Sequence, residues 1–303
     1  MGLTDFPNGV SSFGVPILGS GPVFTTGNVF FVDSGNALAS DDTSSGSRTN
    51  PFSTIDYAIG RCTANNGDVI LVMPGHTETV AAAAGIDCDV AGISIVGIGN
   101  GADRPTITHS ATGSTLEVAA ASVTLENLLF TPSAASTIIV DVNATDCTIR
   151  NCEFRMGTAV TAVDINGGAA NACDRARVLG CVFDGSTDGP DTAIGLDEVA
   201  DSVVIDGCYA YGLFDDACIH NPTGKVLTWL RITNNFLVNT TAASHSIELV
   251  SACTGLISEN RCGSPLADAT PTDIDTGATH VTENYSHDAG GNDSGLLNPV
   301  VDS

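Results

Sequence analysis

The segment LFDDACIHN places two adjacent carboxylates, Asp215 and Asp216, shortly ahead of the imidazole of His220. Paired carboxylates and an imidazole are the residue types that proton transfer at a reacting bond requires. In a chain with 35 Asp and Glu, a surface turn feeding an ordinary strand would carry the same letters, His220 included. A second constellation joins Arg175 and Arg177 of CDRARVLG to Asp184, Asp188 and Asp191 of FDGSTDGPDT. Three aspartates in a Gly-bearing loop offer the oxygen ligands calcium takes. Their spacing is not that of a helix-loop-helix calcium site, and acidic loops are expected anywhere in so acidic a chain.

The remaining chemistry-bearing residues read as structural or exposed. His76, His109, His245, His280 and His287 share no spacing. The ten cysteines form no CxxC pair and no Cys/His zinc pattern, so no metal and no cofactor is expected, and the thiols are read as reduced, buried filler. Aromatic platforms for sugars are scarce, with Trp229 the single tryptophan and aromatics 5% of the chain. GIGNGADRP lacks the lysine of a phosphate-binding loop.

Composition narrows the partners. The chain has 303 residues, a net charge of -25 and one lysine, Lys225. Nucleic acid and acidic membrane faces should be repelled, so neither is an expected partner. No run approaches the roughly 20 apolar residues that cross a bilayer. MGLTDFPNGVSSFG lacks a basic region followed by an apolar one, which points to synthesis in the cytoplasm.

The elements that would position any site come from a repeat. CTIRNCEF returns as ARVLGCVF and VVIDGCYA, with Asn or Gly at the fifth place. Anchoring on that place gives Gly97, Asn127, Asn151, Gly180, Gly207, Asn234, Asn260 and Asn284, spaced 24 to 30 residues apart. An aliphatic stands two residues before most anchors (Ile95, Leu125, Ile149, Val178, Ile205, Ile232), but three before the last two (Ile257, Val281), where the phase slips. Gly and Asn enter left-handed backbone at least cost, so the repeated letter marks a repeated corner. Short strands between such corners can bury their apolar faces only if the chain coils and stacks turn on turn. The expected fold is all-β: a single-stranded right-handed parallel β-helix over residues 28-286. Its corner asparagines are placed for ladders, and Cys152, Cys181 and Cys208 fall on one interior line that continues Ile98 and Leu128. Phe130, Phe154 and Phe183 occupy repeat positions and read as core.

Before the repeats, NPFSTIDYAIGRC predicts a short helix over about 53-62, with Ser53 as N-cap and Ile55, Ala58 and Ile59 on one face. An open solenoid end exposes edge groups and core, so this helix is assigned as the cap. Residues 1-27 and 287-303 carry scattered apolar side chains without a period. The first reads as an extended docking arm, with Phe6, Val10, Phe13, Val15, Ile17 and Leu18 as its contacts, and the second as a C-terminal tail.

VFFVDSGN, NPFSTIDYAIGRC and GDVILVMPGHTETV resemble the pectate-lyase-like β-helix superfamily over about residues 28-286. Enzymes of that superfamily, as the resemblance implies, cut acidic polysaccharide with calcium and a basic residue or with paired aspartates. Asp215 and Asp216 resemble the polygalacturonase dyad, in which one acid protonates the leaving oxygen and a carboxylate activates water. That pattern also wants a preceding Asn-x-Asp and a His-Gly, and with Lys225 the sole lysine its Arg-x-Lys cannot exist. Residues 1-27 resemble the N-terminal arms of tailed-phage virion proteins. The expected function is therefore a structural virion protein, a capsid decoration or cement protein or a surface projection. It would be a homotrimer docked by its arm to the major capsid or another virion protein, and would carry no catalytic residues. The alternative is a small tailspike-like polysaccharide depolymerase acting through Asp215, Asp216 and His220.

Overall fold

The computed structural model describes residues 10-12, 15-17, 25-132, 137-167, 173-185, 189-241, 244-264, 274-276, 279-288 and 295-297. Three long sheets hold nearly all of it. The first runs from Val29–Val32 to His280–Thr282 in ten strands, and the second from Thr77–Val80 to Gly295–Leu297 in ten. The third runs from Ile86–Asp87 to Ile274–Thr276 in eight. Past the first coils the chain visits the three sheets in turn, and each strand pairs in parallel with the strands one repeat before and after it. This is a parallel β-helix, as the repeat predicts.

Registration explains the apolar periodicity. Ile70, Ile95, Leu125, Ile149, Val178, Ile205, Ile232, Ile257 and Val281 form one column of the first sheet. In the second sheet the buried rings of Phe130, Phe154 and Phe183 stack face to face, with centroids 4.9 and 5.0 Å apart. Leu116, Val140, Val163, Ile194, Ile219, Ile247 and Ile274 line the third. The three columns meet in one continuous core.

The corner after the first sheet is left-handed at Asn127, Asn151, Gly180, Gly207, Asn234, Glu259 and Glu283, with φ between 54° and 66°. Two anchors move by one residue. Asn260 and Asn284 lie one place past the corner, so the aliphatic keeps its distance and no phase slip exists. Gly97 also differs, because its backbone is not left-handed. It is a glycine because a Cβ there would meet the Asn127 carbonyl oxygen at 2.2 Å. Ile98 consequently turns outward and is exposed, rather than continuing the interior line.

The interior line itself is Leu128, Cys152, Cys181, Cys208, Asn235, Asn260 and Asn284, all buried. Its polar members share one task. The Cys152, Cys181 and Cys208 thiols donate to the carbonyls of Leu125, Ile149 and Val178, at 3.9, 3.7 and 3.6 Å. The amides of Asn235, Asn260 and Asn284 donate to Ile205, Ile232 and Ile257, the next carbonyls of that column, at 3.2, 2.8 and 2.8 Å. The asparagine ladder thus stands beside the corner rather than in it. All ten cysteines are free thiols, and burial pushes Cys62 and Cys173 up to about 12.

The first turn is closed by the helix Ile55–Ile59, whose Ile55, Ala58 and Ile59 are buried as predicted. Its N-cap is Thr54, not Ser53. Thr54 has an extended backbone and its hydroxyl accepts from the Tyr57 N–H at 3.3 Å, while Asp41 takes the N–H groups of Ser53 and Thr54. Two histidines are structural. His76 is fully buried and its ring accepts the Ser34 N–H at 3.0 Å, while the equally buried His109 contacts the Ser114 carbonyl at 3.0 Å. Burial lowers the His109 pKa.

At the other end the last parallel strand of the second sheet, Asn284–Asp288, takes Gly295–Leu297 of the C-terminal segment as an antiparallel neighbour. In the N-terminal segment, Val10–Ser12 and Val15–Ile17 pair antiparallel as a two-stranded sheet of their own.

Candidate functional site

Asp215 and Asp216 lie in the exposed turn that leads into the third-sheet strand Ala217–Asn221, which carries His220. Their backbone N–H groups donate to the carbonyls of Pro190 and Asp191 on the preceding coil, at 2.8 and 3.1 Å. This stacks one acidic turn on another. Burial, then the Asp216 and Asp215 carboxylates, raise the pKa of Asp191. His220 lies between two carboxylates, its Nδ1 3.9 Å from Asp216 Oδ2 and its Nε2 3.8 Å from Glu248 Oε2. Both distances exceed hydrogen-bond reach, so they are electrostatic contacts. The residues of the predicted constellation are therefore neighbours, with an imidazole flanked by acids but not bonded to them. Glu248 was missing from the sequence reading, although it stands directly opposite His220 one coil later.

The arginine constellation is not assembled. Arg177 is on the first sheet, Asp184 on the second, and Asp191 precedes a strand of the third. Residues close in sequence are sent to different faces by the coil, and Asp188 lies outside the described residues. Arg175 pairs instead with Asp146, its Nε and Nη2 donating to the two carboxylate oxygens at 2.7 and 2.8 Å.

Arg175 owes that partner to a second series of left-handed corners, on the approach to the first sheet: Ser122, Asp146, Arg175, Ser202 and Trp229. The N–H groups of the first four reach the next coil, as in Arg175 N to Asp201 O at 2.8 Å and Ser202 N to Thr228 O at 2.8 Å. Side chains at such corners point outward. Beside this series runs the outward column Arg177, Val204, Arg231, Leu256 and His280. Between the two lies a cleft of about 970 Å³. Trp229 overhangs it at 74% exposure and with φ of 55°, a conformation that costs a bulky aromatic energy.

Two further surfaces stand out. On the second sheet Tyr209 and Phe236 stack outward at 5.2 Å, with Tyr211 and Tyr285 also exposed. Aromatics are thus better represented outside than their scarcity predicts. On the third sheet Asp87, Glu117, Asp141 and Asp164 stand in one column, one per coil. Burial raises Asp141 to about 6 and Asp164 to about 8, with neighbouring acids adding to both. Among the described residues, no group of His, Cys, Asp or Glu is arranged to hold a metal ion.

No family model matches the chain, and no curated protein matches it. Among solved structures it is similar to one described as "Geobacillus virus E2 - ORF18", at 11% identity and a TM-score of 0.39. The alignment covers 87% of this chain and 62% of that one, so the chain spans less than two thirds of that structure.

Proposed function

We propose that the chain is a structural protein of a tailed-phage particle. It would be a β-helical body of the pectate-lyase-like kind, homotrimeric, set on the capsid surface as a decoration or cement protein and docked by its N-terminal arm. The observation that carries this reading is the segregation of Val10–Ser12 and Val15–Ile17 into a sheet hydrogen-bonded to none of the three body sheets. A two-stranded hairpin alone is marginal in water, so such a segment gains its stability from a partner. Phe6, Val10, Phe13, Val15, Ile17 and Leu18 supply the apolar contacts for one, and the major capsid or another virion protein is the partner proposed. The body suits the role, since each coil satisfies the backbone of the next. The test removes residues 1-26. The truncated chain is expected to fold and stay soluble but to fail to join particles; full incorporation would refute the arm.

A second reading has one observation in its favour, His220 flanked by Asp216 and Glu248, with the nearby Asp216 and Asp215 carboxylates adding to the burial that raises Asp191. On that reading the protein is a small depolymerase of acidic polysaccharide. Chain shortening of such a polymer by the wild type, abolished in Asp215→Asn/Asp216→Asn, would establish it over the structural role.

A further inference from the structure

Five exposed apolar side chains of the second sheet gather on neighbouring coils. Val182, Tyr209, Tyr211, Leu213 and Phe236 are each 39 to 43% exposed. Val182, Tyr209 and Phe236 stand in register on three successive coils, and Tyr211 in register with Val238, so the stripe runs along the coil axis. It leaves on the order of 400 Å² of apolar side chain in water. Patches of that size are among the largest that soluble monomers carry, and they are commonly interaction surfaces. The Tyr209 and Phe236 rings are stacked 4° from parallel, so their faces point along the column and their edges outward. A sugar stacks on an open ring face, whereas ring edges pack against protein.

Charge decides what can cover the stripe. The strands Tyr209–Gly212 and Phe236–Asn239 carry no charged residue. On the same two coils the first-sheet strands carry Asp206 and Arg231, and the third-sheet strands His220 and Glu248. Copies gathered around a rotation axis parallel to the coils bring each residue near that axis against its own equivalents at the same height. A charge placed there meets like charge and is repelled, a strong constraint on a chain of net charge -25. The second sheet is the face of these two coils that meets itself without that cost. Asp184 and Arg261, next in the columns of Tyr211 and Phe236, bound the stretch at its rim, where solvent screens them.

We propose that this stripe is the surface through which copies of the chain assemble into a parallel, rotationally closed trimer, with Tyr211 and Phe236 facing their own equivalents across the axis. A rotation without translation closes on itself, so the contact adds no further copies. Parallel copies carry their N-terminal arms at one end, as docking on a single shell requires. The stripe is about half of the roughly 800 Å² per partner that a specific interface buries, close to the apolar share of such a surface. The inference rests on the structural role proposed above and names the face its trimer uses.

The full-length chain is sized by light scattering and sedimentation at micromolar concentration. The wild type is expected at three times 30.7 kDa, and high salt should leave it assembled, since apolar contact carries the interface. Tyr211→Asp and Tyr211→Lys, each alone, should weaken association by about 100-fold or more, with an unchanged far-UV spectrum. Mixing the two should bring part of the trimer back, because unlike charges then meet at the axis. Neither a loss of fold nor a contact between Tyr211 and a different residue would recover on mixing. A monomeric wild type, an oligomer indifferent to both substitutions, or a mixture that stays dissociated overturns the interface. So does a monomeric wild type that joins particles when Tyr211→Asp does not, since the stripe would then dock on a shell protein. Dependence of particle joining on residues 1-26 is read separately, so a monomer that still joins particles through its arm refutes this interface and leaves the structural role standing.

Discussion

Asn284 Oδ1 accepts both the backbone N–H and the side-chain amide of Asn260, at 3.0 and 2.9 Å. Asn260 Oδ1 does the same for Asn235, at 3.0 and 2.8 Å, and Asn235 Oδ1 receives the N–H of Cys208 at 2.8 Å. Each side chain therefore fills a slot in the core where a carbonyl and an N–H of the preceding coil would otherwise be orphaned, and leaving such groups buried without partners is costly.

Asn260→Leu is expected to destabilise by about 3 kcal/mol or more, because it removes the donor to Ile232 and the acceptor for both Asn235 groups. Asn260→Cys should cost less, since Cys208 already occupies the equivalent slot. Urea unfolding midpoints order the three proteins. A leucine variant as stable as the wild type would contradict the role given to the ladder.

Phe154 is sandwiched between Phe130 and Phe183. Phe154→Ala should cost about 3–5 kcal/mol through lost burial and an unfilled cavity, and Phe154→Leu about 1–2 kcal/mol. Thermal unfolding measures both; a loss below 1 kcal/mol for alanine would mean that the stack collapses to close the gap.

Glu259 and Glu283 hold left-handed corners that Asn or Gly fill in earlier coils, and both are exposed. Glu259→Asn is expected to raise stability by about 1 kcal/mol, since asparagine tolerates that backbone better. A fall in the unfolding midpoint would show that the Glu259 carboxylate is needed at the surface.

Asp141 and Asp164 have folded pKa values of about 6 and about 8, above the unfolded value of 3.8. A raised pKa means the folded chain binds the proton more tightly than the unfolded one. The contribution is whole below pH 3.8 and is lost as pH rises through 6 and then 8. Asp164→Asn, which keeps the shape and removes the charge, should stabilise the protein by on the order of 2 kcal/mol at pH 8 and little at pH 4. Equal effects at both pH values would place the Asp164 pKa near its ordinary range.

The fold was legible because one aliphatic column repeats at nearly fixed intervals, from Ile95 to Ile232, and only coiling brings such residues together. The last two corners were misplaced because asparagine serves two sites: the corner, as at Asn234, and the interior slot, as at Asn235. The aliphatic two places ahead of the corner was the better anchor. Sites were less legible. LFDDACIHN sits on one turn and one strand, so Asp216 and His220 come within 3.9 Å, whereas the run from Arg175 to Asp191 crosses three sheets and is scattered. Glu248 and the cleft were findable only by adding a coil's length, since His220 meets Glu248, and Arg177 shares a column with Arg231, through the stacking of coils.

The antiparallel return of Gly295–Leu297 has a consequence for growth. A parallel ladder ends in the pattern with which it began, so any exposed last coil could template another chain and lengthen without limit. A strand laid in the opposite direction offers an incoming coil the wrong pattern on the second sheet. On that sheet the C-terminal segment thus ends the parallel stacking that the coils repeat.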